Sequence, residues 1–316
     1  MRILVVMDPL ERLNLTQDTS IGFMLAAQSR GHYVACCQVK DLYIRNGVGF
    51  AFCRRVHLAG KGSLSYTQEE YTDSPLSEFE TIWMRTDPPV DQAYLHATHV
   101  FDLASPDVLV VNDPKGLRYA NEKLYAQQFP QFCPETLVTR DVEAVRRWLE
   151  RRESPLVVKP VDGHGGRGVF VLEKGNRNVR SILETLSEEG ELWVVAQSYL
   201  PEAREGDKRI ILIDGVPQGA ILRTPQEDDN RGNMHVGGQV THCDLNDRDL
   251  EICAALAPRL RADGLWFVGL DIIGGYLTEI NVTSPTGIRE IEALSGRDVA
   301  GAYVDWIESQ VAEMRT

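Results

Sequence analysis

The stretch that most restricts this chain is Phe267-Val268-Gly269-Leu270-Asp271-Ile272-Ile273, followed after Gly274-Gly275 by Leu277-Thr278-Glu279-Ile280-Asn281-Val282. Side chains alternate across a strand with period 2, so Leu270 and Ile272 share one face, and Gly269, Asp271 and Ile273 the other. On the second strand Ile280 and Val282 match the apolar face, while Glu279 and Asn281 share the opposite one. A two-residue Gly274-Gly275 turn would set Asp271 against Thr278; a three-residue loop, Gly274-Gly275-Tyr276, sets it against Glu279. Only the second register buries both apolar rows together, and it is the expected one. Two carboxylates and an amide oxygen then converge beside a core face. Like charges so placed are destabilising unless a cation lies between them, and an all-oxygen set suits Mg²⁺. A solvated hairpin face is the competing reading, but it leaves the surrounding Phe, Val, Leu and Ile unexplained.

A chain of 316 residues with 43% hydrophobic content can bury a large core and divide into two or three units. The net charge of -13 argues against nucleic-acid or anionic-membrane partners, so a polyanionic substrate would need local Lys and Arg clusters. None of Cys36, Cys37, Cys53, Cys133, Cys243 and Cys253 forms a Cys-x-x-Cys pair, and core thiols are expected. No signal peptide or membrane-spanning run is visible, which fits a cytoplasmic protein.

Residues 1 to about 115 alternate strands and helices in a βαβ pattern that predicts a parallel sheet. Gly-x-Gly-x-x-Gly is missing after the first strand, so no dinucleotide is expected. Gly47 to Ser77 is irregular and polar and is read as a long surface excursion. A short helix is expected to carry Lys123. Beyond it, strands joined by hairpins and flanked by helices predict an α+β unit. Thr224 to Gly238 has no periodicity and reads as a functional or disordered loop.

The loop Asp162-Gly163-His164-Gly165-Gly166-Arg167-Gly168 joins two predicted strands. It is neither a Walker loop nor a Rossmann fingerprint. Glycines still let backbone N–H groups approach phosphate, and Lys159 ends the preceding strand beside them. His164 is expected to be exposed and is given no role. Gln197-Ser198-Tyr199-Leu200-Pro201 is a connector able to meet an adenine edge, or a plain linker. Asp207 and Lys208 reach a ribose or phosphate, or the surface. Arg85, Arg209, Arg223, Arg231 and Arg289 stand at strand ends, in the long loop and at a helix start, where guanidinium forks suit carboxylate and phosphate.

Taken in order, Asn121-Glu122-Lys123, Val158-Lys159-Pro160 with the glycine loop, Gln197–Pro201, Gly206-Asp207-Lys208-Arg209, Arg231-Gly232-Asn233, Val268–Asp271 and Thr278–Thr286 resemble the ATP-grasp ligases, and within them the bacterial glutathione synthetase family. Met7-Asp8-Pro9 and Met84-Arg85 with Asp87-Pro88-Pro89 resemble that family's N-terminal part.

The resemblance implies a mixed α/β and α+β ATP-grasp fold. Its parts would be an N-terminal Rossmann-like domain over 1–120, a central α+β domain over 121–200 and a C-terminal α+β domain over 201–316. It implies ATP-dependent joining of γ-glutamylcysteine to glycine through an acyl phosphate, with Mg²⁺ or alternatively Mn²⁺, in a homo-oligomer such as a tetramer. Nucleotide residues would be Lys123, Lys159, Gly163, Gly165, Gly166, Gln197, Ser198, Tyr199, Leu200 and Asp207. Arg209, Arg223 and Arg231 would be catalytic. Arg85, Arg209, Arg223, Asn233, Ser284, Thr286 and Arg289 would hold the acceptor substrate, and Asp271, Glu279 and Asn281 the metal. The chain departs from the family at Thr86, His164, Arg167, Gly168, Gln239 and Gly287. Two other readings stand beside this one: a ligase for a different γ-glutamyl or dipeptide substrate, and a nucleotide-binding regulator without catalysis.

Overall fold

The computed structural model describes residues 1–60, 64–225 and 239–315. β1 (Arg2–Met7) leads into α1 (Thr19–Ser29), and β2 (Tyr33–Cys37) returns parallel to β1. Asp18 starts α1 by accepting a hydrogen bond from the Ile21 amide at 3.0 Å, which satisfies one of the helix's orphan N–H groups. Cys36 and Cys37 are both buried, one on each side of this sheet.

β3 (Leu42–Arg45), β4 (Val48–Ala59), β5 (Ser65–Gln68) and β6 (Thr72–Pro75) follow, all paired antiparallel on β4. The expected irregular excursion from Gly47 is therefore largely sheet. Gly49, Ala51 and Cys53 alternate inward along β4, while Val48 and Phe52 face out. Stacked Tyr43–Phe50 and Phe52–Tyr71 pairs, with centroids 5.3 and 4.7 Å apart, hold the outer face. β7 (Thr81–Arg85), α2 (Gln92–Phe101), β8 (Leu109–Val111) and α3 (Pro114–Tyr119) complete the first layer. Its strand order is β3-β4-β2-β1-β7-β8, with β1, β2, β7 and β8 mutually parallel.

The segment carrying Lys123 is a turn leading into a single 3-10 turn over Tyr125–Gln128, not the expected helix. Next come β9 (Thr136–Thr139), α4 (Val142–Glu150), β10 (Leu156–Pro160), β11 (Phe170–Leu172), α5 (Val179–Leu186) and β12 (Val194–Ser198). These strands form an antiparallel sheet ordered β11-β10-β12-β9. Leu156 and Val158 of β10 pack with Val145, Leu149, Val179 and Leu183 from the two helices. Alternation then turns Val157 and Lys159 to the opposite face.

A second antiparallel sheet closes the chain: β13 (Asp207–Ile213), β14 (Val216–Thr224) and β15 (Gln239–His242), then α6 (Asp247–Ala262), then β16 (Phe267–Ile273) and β17 (Tyr276–Asn281), ordered β15-β14-β13-β16-β17. α7 (Ile288–Ser295) and α8 (Val299–Met314) return to the first layer. There Phe23 of α1 stacks on Tyr303 at 3.9 Å and meets Trp83 and Phe267 edge-on.

Asn112 clamps the first layer to the last sheet. Its amide N–H groups donate to Phe267 O and Val282 O, and its Oδ1 accepts from the Trp266 and Phe267 amides, each at 2.8 Å. A fully satisfied buried amide of this kind fixes geometry between the two units. Among the described residues, no helix is long and apolar enough to cross a membrane.

Candidate active site

The C-terminal hairpin pairs Asp271 with Glu279, Leu270 with Ile280 and Gly269 with Asn281. The acid register is the expected one, but its route differs. The turn is only Gly274-Gly275, both at positive φ (55° and 80°) as a two-residue hairpin turn of this hand requires. A bulge at Thr278 then supplies the extra residue that moves Glu279 opposite Asp271. The Thr278 hydroxyl donates to Asp271 O at 3.0 Å and pins the bulge.

Antiparallel partners share a face, so the pairing extends this row. Arg209 on β13 lies opposite Asp271, and Asp207 lies opposite Arg223 on β14. Arg209 forks onto Asp271 through Nε at 2.5 Å and Nη2 at 3.1 Å, and its Nη1 donates to Thr286 O at 3.2 Å. Gly269 makes this possible, because a Cβ there would stand 3.2 Å from Arg209 Cδ and 3.0 Å from Pro285 Cβ. Arg223 Nη2 reaches Asp271 at 2.9 Å and also pairs with Asp207. Lys159 Nζ lies 2.8 Å and Lys123 Nζ 3.8 Å from Glu279 Oε1.

Glu122, Asp207, Asp271 and Glu279 are thus interleaved with Lys123, Lys159, Arg209 and Arg223 in one cluster. Burial pushes the Asp271 carboxyl up, but Arg209 and Arg223 outweigh it and hold the group well below the usual carboxylate range. Glu279 is likewise lowered, its burial overcome by Lys123 and Lys159. Asp207 goes the other way: burial dominates over Arg223 and lifts it to about 6. Burial also raises Glu122, reinforced by the charge of Glu279.

The cluster floors a cavity of about 720 Å³ between the two antiparallel sheets. Lys123, Lys159, Gly163, Gly165, Gly166, Gln197, Ser198, Tyr199, Leu200, Asp207, Arg209, Arg223, Asp271, Glu279, Asn281, Ser284 and Thr286 all line it. Val157, Val171 and Ile273 give it apolar walls able to take a planar base. The Ser198 and Tyr199 backbone amides donate to Glu135 O and Pro155 O, and the Gln197 side-chain amide donates to Thr136 Oγ1 at 3.1 Å. The Leu200 amide makes no hydrogen bond among the described residues and is the free donor of this connector.

Several sequence expectations need correction. Arg289 stays out of the cavity: it pairs with Glu292 at 2.7 Å and lies over Gly22 of α1, where no side chain intervenes. Arg85 is buried one layer behind, donating to Ser20 Oγ at 3.0 Å and Pro285 O at 2.9 Å, so it braces the Ser284–Thr286 segment without facing the cavity. Lys208 points to α6, 2.5 Å from Asp249, because it sits on the opposite face from Asp207 and Arg209. His164 is half-buried on the cavity wall, not exposed. Arg231 and Asn233 lie outside the described residues, as does most of the Thr224–Gly238 loop.

Glu122 was missed as a site residue. Its Oε1 accepts from Thr283 Oγ1 at 2.9 Å and its carbonyl from the Ile280 amide at 3.0 Å. Nothing but its place beside Lys123 marks it in the sequence.

The donor set fits a hard divalent ion. Asn281 spends its amide N–H groups on Gly269 O at 3.2 Å and Asp271 Oδ2 at 3.1 Å, which leaves its oxygen for a cation. Glu279 Oε2 likewise has no hydrogen-bond partner among the described residues. Carboxylate and amide oxygens on adjacent strands, open to a cavity that admits water and phosphate, are the ligands Mg²⁺ prefers.

The chain matches two family models: the N-terminal domain of prokaryotic glutathione synthetase over residues 1–118, and that family's ATP-grasp domain over residues 122–296. A glutathione synthetase of Gloeobacter violaceus is 47% identical over 313 residues, covering 97% of this chain and 96% of that relative. One from Thermosynechococcus vestitus is 44% identical over 319 residues, covering 98% and 100%. Among solved structures, D-cycloserine synthetase DcsG superimposes with a TM-score of 0.70 at 17% identity, covering 99% of each chain. The ATP-grasp ligase PsnB, solved with a minimal precursor, Mg and ADP, gives a TM-score of 0.62 at 17% identity over 98% of this chain and 97% of its own. These two likenesses bear on the fold alone.

Proposed function

The chain belongs to the prokaryotic glutathione synthetase family and is an ATP-dependent ligase, joining γ-glutamylcysteine to glycine with release of ADP and phosphate; we propose that the buried acid–base cluster is its reaction centre. The single observation that carries this assignment is the interleaving of Asp271, Glu279 and Asn281 with Lys123, Lys159, Arg209 and Arg223 on the floor of one cavity.

Val157, Val171 and Ile273 sandwich the adenine, and the Leu200 amide reads its edge. Asp207 faces the ribose. Lys123 and Lys159 move from Glu279 to the phosphates, supported by the backbone of Gly163, Gly165 and Gly166. Asp271, Glu279 and Asn281 would hold Mg²⁺, with Mn²⁺ as an alternative ion, and the metal would supply neutralisation of the phosphate charge. Arg209 and Arg223 orient the cysteinyl carboxylate as it attacks the γ-phosphorus, then steady the oxyanion when glycine displaces phosphate. Ser284 and Thr286, braced by Arg85, face the peptide substrate; from the sequence, Asn233 is assigned to the same substrate and Arg231 to catalysis.

The division into 1–120, 121–200 and 201–316 is supported by the three sheets. A homo-oligomer, a tetramer among the options, is supported by the half-exposed Phe52 on the outer face of β4 and the Tyr71 ring stacked on it, and light scattering tests it. Residence in the cytoplasm belongs to the same proposal, and cell fractionation tests it.

Isotope transfer tests the chemistry. With ¹⁸O in the cysteinyl carboxylate, one labelled oxygen should appear in the released phosphate. Unlabelled phosphate would exclude the acyl phosphate.

A further inference from the structure

We propose that Glu122 receives the nucleophile, its Oε2 accepting a hydrogen bond from the ammonium of the incoming glycine; this rests on the reading of the cluster as the reaction centre. Glu122 is half-buried and lines the cavity. Its carbonyl accepts from the Ile280 amide at 3.0 Å, and its Oε1 accepts from Thr283 Oγ1 at 2.9 Å, so backbone and side chain are both held. Oε2 has no hydrogen-bond partner among the described residues. It is not one of the sealed side-chain atoms that go without a partner, which leaves it open to the cavity.

A carboxylate sunk this far calls for a cation, and the nearby charge of Glu279 makes its own charge costlier still. Lys123 and Arg209 act on it from close by, but both are committed elsewhere. Lys123 Nζ donates to Gly163 O and faces Glu279, while Arg209 donates to Asp271 and to Thr286 O. Among the described residues Glu122 forms no ion pair. Asp207 has Arg223 as its partner, and Asp271 and Glu279 are the acids assigned to the metal. The cation for Glu122 therefore comes with a substrate. The ammonium of γ-glutamylcysteine lies at the far end of that peptide from the carboxylate that reacts. The glycine nitrogen, by contrast, must bond to that carboxyl carbon. Glu122 stands beside Arg209, the side chain assigned to the reacting carboxylate, so glycine's ammonium is the one it meets.

Initial rates of Glu122→Gln and Glu122→Asp, with glycine or hydroxylamine as the nucleophile, test this. Hydroxylamine is an uncharged amine at neutral pH and traps the acyl phosphate as a hydroxamate, so it has no ammonium for Glu122 to receive. Loss of one charge-assisted bond should lower kcat/KM for glycine in Glu122→Gln by about tenfold or more beyond any loss with hydroxylamine. Glu122→Asp keeps the charge but draws it back by a methylene, and its glycine-to-hydroxylamine ratio should fall between Gln and parent. The KM for γ-glutamylcysteine should stay within about threefold of the parent in both. A parent-like ratio in a folded Glu122→Gln protein, or in Glu122→Asp where the Gln variant does not fold, overturns the inference. A loss that falls on KM for γ-glutamylcysteine also overturns it, giving Glu122 to the other ammonium. A parent protein that forms neither glutathione nor hydroxamate removes the reaction centre together with the inference.

Discussion

Replacing Arg209 by alanine removes the side chain that both organises the cluster and faces the reacting carboxylate. Arg209 is buried and makes three hydrogen bonds, two to Asp271 and one to Thr286 O. Breaking a buried ion pair by deleting one partner costs about 3–5 kcal/mol. Here Asp271 keeps Arg223 at 2.9 Å and Asn281 at 3.1 Å, so the loss belongs at the lower end, about 3 kcal/mol. Catalysis should suffer separately. Deleting one preorganised donor to a developing oxyanion lowers kcat by about 10²–10³, or roughly 3–4 kcal/mol of barrier. Arg209→Lys keeps the charge but not the fork, and should fall between. Thermal unfolding by circular dichroism gives the first quantity. Steady-state ADP release, measured well below the variant's melting temperature, gives the second. A folded Arg209→Ala protein with kcat within about threefold of the parent would refute the role assigned to this guanidinium.

Three further outcomes follow from the same geometry. Glu279→Gln halves the carboxylate content of the metal set and frees Lys159, so Mg²⁺-dependent turnover should fall below detection; turnover that survives would break the metal assignment. Stability should respond to pH in two opposite ways. Asp207, raised to about 6, holds a proton in the folded state that the unfolded chain has already lost, so its contribution declines as pH rises from about 4 to 6, a slope that Asp207→Asn should remove from denaturation curves. Asp271, held low, stabilises above the ordinary carboxylate range, and that contribution should fade as pH drops below about 4. Finally, Asn112→Ala strands two buried N–H and two buried C=O groups and should cost about 3 kcal/mol or more of unfolding free energy, with nucleotide affinity a weaker readout than stability.

Much of this arrangement was legible because the acids sit in strands whose apolar alternation admits only one face assignment. Asp271 and Glu279 had to meet if Leu270 and Ile280 were to share a core, whatever route the chain took. The route itself was not legible: a bulge at Thr278 and a loop ending at Tyr276 satisfy the same pattern, and only backbone geometry separates them. β4 was hidden because adjacent Arg54 and Arg55 interrupt its alternation, although one arginine caps the Tyr71 ring and the other the Tyr33 ring. The arginines divide by tertiary context that no local signal carries. Arg209 and Arg223 turn into the cavity with the face of their strands. Arg85 is diverted into the aromatic joint of Phe23 and Phe267, and Arg289 onto the bare surface of Gly22. Glu122 escaped for a similar reason, since its burial depends on the Thr283 segment folding back over it from the far end of the chain.

The most direct test mixes the purified protein with Mg²⁺, ATP and γ-glutamylcysteine, then adds glycine while ADP and glutathione are followed together. Little ADP should form before glycine, and afterwards one glutathione for each ADP, with both products lost in Glu279→Gln. Absence of glycine-dependent ADP, or ADP formed with no glutathione, would contradict it.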